Sequence, residues 1–389
     1  MNLSIWKVST LTTFALMSLA PMTRAKSKAS HGDASYWVYI GTYTDRDSKG
    51  IYVYRFNSGR LHPIGSLAAE IVSPSFLAVD PSHRFLYAVN ETDTFQGQPT
   101  GGVSAFAIDR KTGRLKLLNQ VSSGGAGPCF VSLDRSGKCV LVANYSSGSV
   151  AVFPVLPGGR LGKPSAFVQH EGHSVNAERQ ERPHAHDISV SPDNRFALAA
   201  DLGLDKLLVY RFDAAEGSLA PNDPPSASVD PGSGPRHFVF DPGGHFVYLL
   251  NEIKSTVTTF SYNAEQGTLH ELQTVPALPA GFTGENTAAE IALGRSGKFL
   301  YASNRGQDAI AVFAIDARHT LKSVGHVPTL GKEPRNFAID PTGAYLLAAN
   351  QNSSNIVVFH VSPATGRLTP TGQVVEVPSP VCIVFVPAE

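Results

Sequence analysis

Residues 340–350 read D-P-T-G-A-Y-L-L-A-A-N, a tight turn followed by an apolar strand that ends in asparagine. Similar stretches occur five more times, at residues 80–90, 134–144, 191–201, 241–251 and 294–304. Their last residues are 54, 57, 50, 53 and 46 positions apart, a mean of 52. A period near 50 that contains several short strands is typical of the blades of a β-propeller.

A seventh copy of the unit is divided between the two ends of the chain. P-V-C-I-V-F at residues 380–385 matches the strand before the turn, and W-V-Y-I-G-T-Y-T at residues 37–44 matches the strand after it. Pairing of these segments would remove the sheet edges that an open array leaves exposed. We therefore predict an all-β fold: a seven-bladed β-propeller with four-stranded blades, closed by pairing of the N- and C-terminal strands.

The beginning of the chain has the features of a secretory signal peptide. Lys7 is followed by an uncharged, apolar run at residues 8–20, and Ala25 is the expected cleavage position. This run is shorter than the roughly 20 residues that cross a bilayer, which disfavours a permanent anchor. We predict a protein that is periplasmic or secreted and free of the membrane after cleavage, with a signal peptide at residues 1–25, a flexible leader at 26–35 and one propeller domain at 36–389.

Charge and cysteine content exclude several classes of protein. The 32 Lys and Arg residues balance 32 Asp and Glu, so no overall positive charge favours nucleic acid or anionic membranes. Charged residues are 16% of the chain and hydrophobic ones 42%, which indicates a large core rather than disorder. Three cysteines cannot form a disulfide framework, so we expect buried thiols at Cys129, Cys139 and Cys382. We also expect a monomer.

The innermost strands of a propeller run in the same direction, so equivalent positions of the blades meet at one mouth of the channel. The position five residues before each turn holds Ser75, Cys129, His186, Arg236, Ala289, Arg335 and, in the divided blade, Val381. The position after the last residue of each copy holds Glu91, Tyr145, Leu202, Glu252, Arg305 and Gln351. Ionisable side chains at positions that other blades fill with small or apolar residues indicate a site rather than blade packing.

These two positions predict an anion-binding catalytic site at the mouth. The catalytic candidates are His186, Arg236, Glu252 and Arg305, and the substrate-binding candidates are His184, Glu290, Arg335 and Arg179. Several guanidinium groups in one place suit an anionic substrate, because arginine can hold carboxylate or phosphate with two parallel hydrogen bonds. The alternative is a polar rim in which these side chains only pair with one another.

The longest polar insertion, at residues 170–187, contains four histidines. His184 and His186 would share one face of a strand, and a third ligand from the loop would complete a zinc site. No helical H-E-x-x-H motif is present, however, and a proline directly precedes His184. We therefore favour a substrate-facing loop and predict neither a metal nor a cofactor.

Several stretches resemble the lactonase family of seven-bladed propellers, which includes bacterial 6-phosphogluconolactonases of the propeller type and fungal carboxymuconate lactonizing enzymes. They are Y-I-G-T-Y-T at 39–44, V-N-A-E-R-Q-E-R-P-H-A-H at 175–186, G-P-R-H-F-V-F-D-P at 234–242, Y-L-L-N-E at 248–252 and K-E-P-R-N-F-A-I-D-P at 332–341. The resemblance covers almost the whole chain after residue 35. It implies a site of one His, two Arg and one Glu at the mouth, which fall here on His186, Arg236, Arg305 and Glu252.

Hydrolysis of a small anionic lactone, a sugar or sugar-phosphate lactone of carbohydrate metabolism, is the leading hypothesis. Glu252 or His186 would take a proton from water, while Arg236 and Arg305 stabilise the oxyanion. A serine nucleophile is disfavoured because no G-x-S-x-G motif occurs. The same residues would also suit the reverse ring closure of a lactonizing cycloisomerase. A third hypothesis is an exported propeller that binds a ligand without catalysis.

Overall fold

The computed structural model describes residues 1–4 and 35–389. The secondary structure of these residues consists of 28 β-strands. Seven antiparallel four-stranded sheets surround a central channel, as the sequence predicts. No helix in these residues has the length and apolarity to cross a membrane. The predicted signal peptide and leader lie outside the described residues, apart from residues 1–4 and 35.

The blades follow one another along the chain, each running from the innermost to the outermost strand. The first three after the closing blade are β4 (Leu77–Val79), β5 (Phe85–Asn90), β6 (Gly102–Ile108) and β7 (Leu115–Ser122); β8 (Pro128–Leu133), β9 (Cys139–Asn144), β10 (Ser149–Pro154) and β11 (Ala166–Gln169); and β12 (Ala185–Val190), β13 (Phe196–Asp201), β14 (Lys206–Asp213) and β15 (Ser218–Ser228). The next three are β16 (Pro235–Phe240), β17 (Phe246–Asn251), β18 (Thr256–Asn263) and β19 (Thr268–Pro276); β20 (Thr287–Leu293), β21 (Phe299–Arg305), β22 (Ala309–Ile315) and β23 (Leu321–Pro328); and β24 (Pro334–Ile339), β25 (Tyr345–Asn350), β26 (Asn355–Val361) and β27 (Leu368–Glu376).

The closing blade joins the two ends of the chain, as predicted. Its strands are β28 (Pro380–Pro387), β1 (Ser35–Thr42), β2 (Gly50–Asn57) and β3 (Arg60–Glu70). The C-terminal strand β28 is innermost and pairs with β1 from Tyr36↔Pro387 to Gly41↔Cys382. Because β28 also contacts β24 on one side and β4 on the other, it completes the ring.

The core lies between neighbouring blades, where the strands bury apolar side chains on both faces. Buried tyrosines link one blade to the next: the hydroxyls of Tyr39, Tyr87 and Tyr301 donate to the carbonyl oxygens of Gly113, Gly159 and Gly366 at 2.9–3.0 Å. All three cysteines are buried free thiols, which confirms the prediction. The ring is therefore held together by packing and hydrogen bonds.

The turn between the two inner strands explains the recurring aspartate of the repeat. In the second blade after the closing one, Asp134 Oδ1 accepts hydrogen bonds from the backbone N–H groups of Lys138 and Cys139, both at 2.7 Å. Its Oδ2 accepts from the N–H of Ser136 at 2.9 Å. Asp80, Asp241 and Asp340 bind their turns in the same way, so this aspartate is structural.

A β-bulge interrupts the pairing of most innermost strands near the mouth. In the β12–β13 pair, Ala185 faces Asp201 and Asp187 faces Ala200, which leaves His186 as the extra residue. Cys129, Arg236 and Arg335 are the extra residues of the corresponding bulges in their blades. Since a bulge changes the direction of a side chain, these residues depart from the alternation of their strands, and Cys129, His186 and Arg335 turn toward the channel mouth.

Candidate active site

The channel mouth contains a cavity of about 280 Å³. Most of its lining comes from the two positions that the repeat aligns: the bulge residues and the residues that follow the second strand of each blade. The lining residues are Glu91, Cys129, Tyr145, Arg179, His186, Glu252, Thr287, Arg305 and Arg335. The fold therefore brings residues from six of the seven blades, together with the polar insertion, to one place.

Glu252, directly after β17, is the centre of a cluster of guanidinium groups. Arg179 Nη2 donates to its Oε1 at 2.6 Å, and Arg236 Nε donates to its Oε2 at 2.9 Å. Arg305 Nη2 forms an ion pair with the same Oε2 at 3.0 Å. Burial tends to raise the pKa of Glu252, but the three arginines outweigh burial and hold that pKa far below its ordinary value. Glu252 is therefore a fixed anion and a poor proton acceptor.

His186 lies beside this cluster, with its side chain only 5% exposed and Nε2 4.0 Å from Glu252 Oε2. Its Nδ1 lies 3.7 Å from the Cys129 sulfur. Burial lowers the pKa of His186 well below its ordinary value, and the charge of Arg236 adds to this effect. The ring is therefore neutral near pH 7 and keeps one unprotonated nitrogen that can accept a proton.

Arg335 forms the opposite wall with Tyr43 and Glu91. Its guanidinium lies over the ring of Tyr43 at 5.3 Å, and no carboxylate of residues 35–389 lies within 4.0 Å of it. Tyr43 donates to Glu91 Oε2 at 2.9 Å, and Ser75 donates to the same oxygen. Burial tends to lower the pKa of Arg335, but Tyr43 and Glu91 outweigh it, so the pKa is raised. Arg335 thus gives the cavity a permanent positive charge. No side chain or backbone group of residues 35–389 accepts a hydrogen bond from its guanidinium group.

Two predicted substrate-binding residues, His184 and Glu290, do not line the cavity. His184 stacks on Tyr145, with ring centroids 4.5 Å apart, and its Nδ1 lies 3.0 Å from the backbone oxygen of Tyr145. Glu290 lies deeper, with its two oxygens 3.1 Å from His237 Nδ1 and 2.5 Å from Asn336 Nδ2. The geometry gives both residues supporting contacts to neighbouring side chains.

Arg236 also lies behind the lining, between Glu252 and the backbone. Its Nη1 donates to the carbonyl oxygen of Ala289, while its Nε holds Glu252. Arg179 comes from the polar insertion and is the more exposed member of the cluster, at 39%. Arg236 therefore orients the carboxylate, whereas Arg179 and Arg305 face the cavity.

The histidines of the polar insertion have separate partners. His170 Nδ1 lies 2.6 Å from Asp201 Oδ2, and its Nε2 lies 3.0 Å from the Tyr210 hydroxyl. Residues 1–4 and 35–389 contain no group of three or more His, Cys, Asp and Glu side chains placed to hold a metal ion.

Sequence reasoning missed five residues at the site. Glu91, Cys129 and Tyr145 occupy the two aligned positions, so the repeat itself could have identified them. Tyr43 occupies the equivalent position of the closing blade, within Y-I-G-T-Y-T. Thr287 begins β20 and carries no pattern that distinguishes it.

Fold and site together define a seven-bladed propeller whose channel mouth holds a buried histidine of lowered pKa among several arginines. The model of the family described as "Lactonase, 7-bladed beta-propeller" matches residues 37–385, and the chain belongs to this family. The resemblance seen in the sequence is therefore confirmed.

Relatives with this fold are similar along nearly their whole length. The chain is 38% identical over 354 residues to a 6-phosphogluconolactonase of Bacillus subtilis, covering 90% of this chain and 98% of the relative. The structure of a periplasmic gluconolactonase from Pseudomonas aeruginosa is similar, with a TM-score of 0.86, 38% identity and coverage of 92% and 100%. A putative 6-phosphogluconolactonase from Bacteroides fragilis has a TM-score of 0.85, 39% identity and the same coverage.

Proposed function

We propose that this protein hydrolyses the lactone of a sugar acid, with or without a phosphate, in the channel mouth. The observation that carries the proposal is the position of neutral His186 beside the Glu252 guanidinium cluster, around a cavity of about 280 Å³. The names of the relatives from Bacillus subtilis and Pseudomonas aeruginosa support the same reaction.

His186 acts as the general base in this proposal, because Glu252 is held as an anion by three arginines. The imidazole takes a proton from water, whose oxygen attacks the lactone carbonyl carbon. Arg179 and Arg305 face the cavity and stabilise the negative charge that develops on the carbonyl oxygen. Glu252 in turn stabilises the imidazolium that forms 4.0 Å from it.

Arg335 binds the anionic group of a phosphorylated substrate, since its guanidinium has no carboxylate partner among residues 35–389. Glucono-1,5-lactone and its 6-phosphate should therefore be compared in a continuous assay of acid release. We expect Arg335→Met to raise KM for the phosphorylated lactone by about tenfold and to change KM for glucono-1,5-lactone less. Tyr345→Phe is the control, because Tyr345 begins β25 at the end away from the mouth and packs on Phe56. Absence of hydrolysis of either lactone by the wild type would overturn the proposal.

We also infer that the protein works outside the cytoplasm. Lys7 and the apolar run at residues 8–20 are the sequence features that support export. Fusion of residues 1–25 to a reporter enzyme that is active only after export should give activity, whereas a fusion that begins at residue 26 should give none. Equal activity of the two fusions would contradict export.

A further inference from the structure

Opening a lactone releases its ring oxygen as an alkoxide, which needs a proton to leave readily. We propose that Tyr145 is the general acid that protonates this oxygen, an inference that rests on the lactonase function proposed above. Tyr145 directly follows β9 and lines the cavity. Its blade position is filled by Leu202 and Gln351 in two other blades, so the fold itself does not require a tyrosine there.

The hydrogen bonds of Tyr145 leave its proton available. The buried hydroxyls of Tyr39, Tyr87 and Tyr301 each donate to a backbone carbonyl oxygen. The oxygen of Tyr145 instead accepts from Arg179 Nη2 at 3.4 Å, and no group in residues 35–389 accepts its hydrogen. A ligand in the cavity can therefore take this hydrogen bond.

Two histidines fix the ring of Tyr145 next to the proposed base. His184 stacks on it with an interplanar angle of 23° and also contacts its backbone oxygen. The ring of His186 meets it edge-on, with centroids 5.4 Å apart. The acid and the base therefore border the same part of the cavity, and His184 is a positioning residue for the acid.

The charges around Tyr145 suit proton donation. Burial raises the pKa of Tyr145, although its hydrogen bond with Arg179 acts in the opposite direction. The phenol is thus protonated near pH 7, and Arg179 stabilises the phenolate that remains after the proton has left.

The proton balance of the reaction closes without another reactant. His186 takes one proton from water as the oxygen–carbon bond forms, which gives the tetrahedral intermediate. When the bond between the carbonyl carbon and the ring oxygen breaks, that oxygen receives the proton of Tyr145. The imidazolium of His186 then returns a proton to the phenolate, and the carboxylic acid product releases its own proton to solvent.

The test compares two substrates that differ only in the leaving atom: glucono-1,5-lactone and the corresponding 1,5-thiolactone. A thiolate leaves without protonation far more readily than an alkoxide. We expect Tyr145→Phe to lower kcat for the lactone by about 100-fold and for the thiolactone by less than about fivefold. Arg179→Met should lower kcat for both substrates, because it removes a donor to the carbonyl oxyanion, and the loss should be larger for the lactone, because it also removes the partner of the phenolate.

Tyr87→Phe is the matched control, because it removes a hydroxyl whose hydrogen bond ends on a backbone carbonyl outside the cavity. Tyr87→Phe should leave kcat unchanged for both the lactone and the thiolactone. The melting transition of each variant is measured as well, to show that the variant is folded. Equal losses on both substrates in a folded Tyr145→Phe variant, or no loss on either, would overturn the role of Tyr145. Lack of wild-type activity on the oxygen lactones would instead overturn the lactonase proposal.

Discussion

Glu252 and His186 lie 4.0 Å apart, and their surroundings give them opposite properties. The carboxylate is paired with three guanidinium groups, which keep it ionised. The imidazole is kept neutral by its burial and by the nearby charge of Arg236, which together lower its pKa. At the scale of the residue, the site therefore separates the anion that organises the arginines from the group that can move a proton.

Glu252→Gln should lower both activity and stability. Removing one partner of a buried ion pair leaves the other charges uncompensated, which costs about 3–5 kcal/mol in the free energy of unfolding. His186→Asn should instead lower kcat by about 100-fold or more with little change in melting temperature. Thermal denaturation and steady-state kinetics of both variants check this contrast, and a Glu252→Gln variant of wild-type stability would contradict the role given to the carboxylate.

The pH dependence of the reaction should reflect the environment of His186. Burial and Arg236 lower the pKa of this histidine below its ordinary value of 6.5. The neutral, active form therefore persists as the pH falls through 6.5, and kcat/KM declines only at more acidic pH. Initial rates between about pH 4 and pH 8 test this, corrected for spontaneous hydrolysis. A half-maximal rate at or above pH 6.5 would argue against His186 as the base.

At the scale of the element, the turn and the bulge of the inner strands have different tasks. The turn lies far from the mouth and is held by its aspartate, as in the bonds of Asp134 to three backbone N–H groups. The bulge lies at the mouth and directs one side chain of the strand into the cavity, as it does for His186. In each such unit of the repeat, the turn at one end of the inner strands stabilises the fold, and the bulge at the other end supplies a residue to the site.

Asp134→Ala should destabilise the protein without changing kcat or KM. The substitution leaves three backbone N–H groups without their acceptor, which costs about 1–3 kcal/mol. Asp109→Ala is the matched control: Asp109 also binds the N–H groups of its turn, but the turn is exposed. We expect the melting temperature to fall clearly for the first variant and hardly for the second, and a loss of kcat in Asp134→Ala would contradict a purely structural turn.

At the scale of the whole molecule, closure depends on β28, which pairs with β1 at the opposite end of the chain. Deletion of residues 380–389 removes the innermost strand of the closing blade and exposes the edges of β1 and of the neighbouring blades. We expect the cooperative melting transition to be lost and aggregation to increase. Removal of Glu389 alone breaks its ion pair with Arg110 and one terminal backbone hydrogen bond to the same residue, and should leave melting unchanged. A wild-type transition after the longer deletion would show that closure is not needed.

The repeat predicted the seven blades, the divided blade and the shared mouth because its spacing and apolar strands are local properties of the sequence. It also selected His186, Arg236, Glu252 and Arg305, since symmetry aligns equivalent positions without any knowledge of side-chain contacts.

The tertiary structure decided which of these residues face the cavity and in what charge state. The bulges direct His186 and Arg335 to the mouth, whereas His184 and Glu290 lie outside the cavity lining and contact neighbouring side chains. The pKa of Glu252 is lowered by arginines that lie 73, 16 and 53 positions away in sequence. Burial and charge depend on distances in space. Only the folded structure could therefore show that His186, the proposed base, is neutral and that Glu252 beside it is an anion.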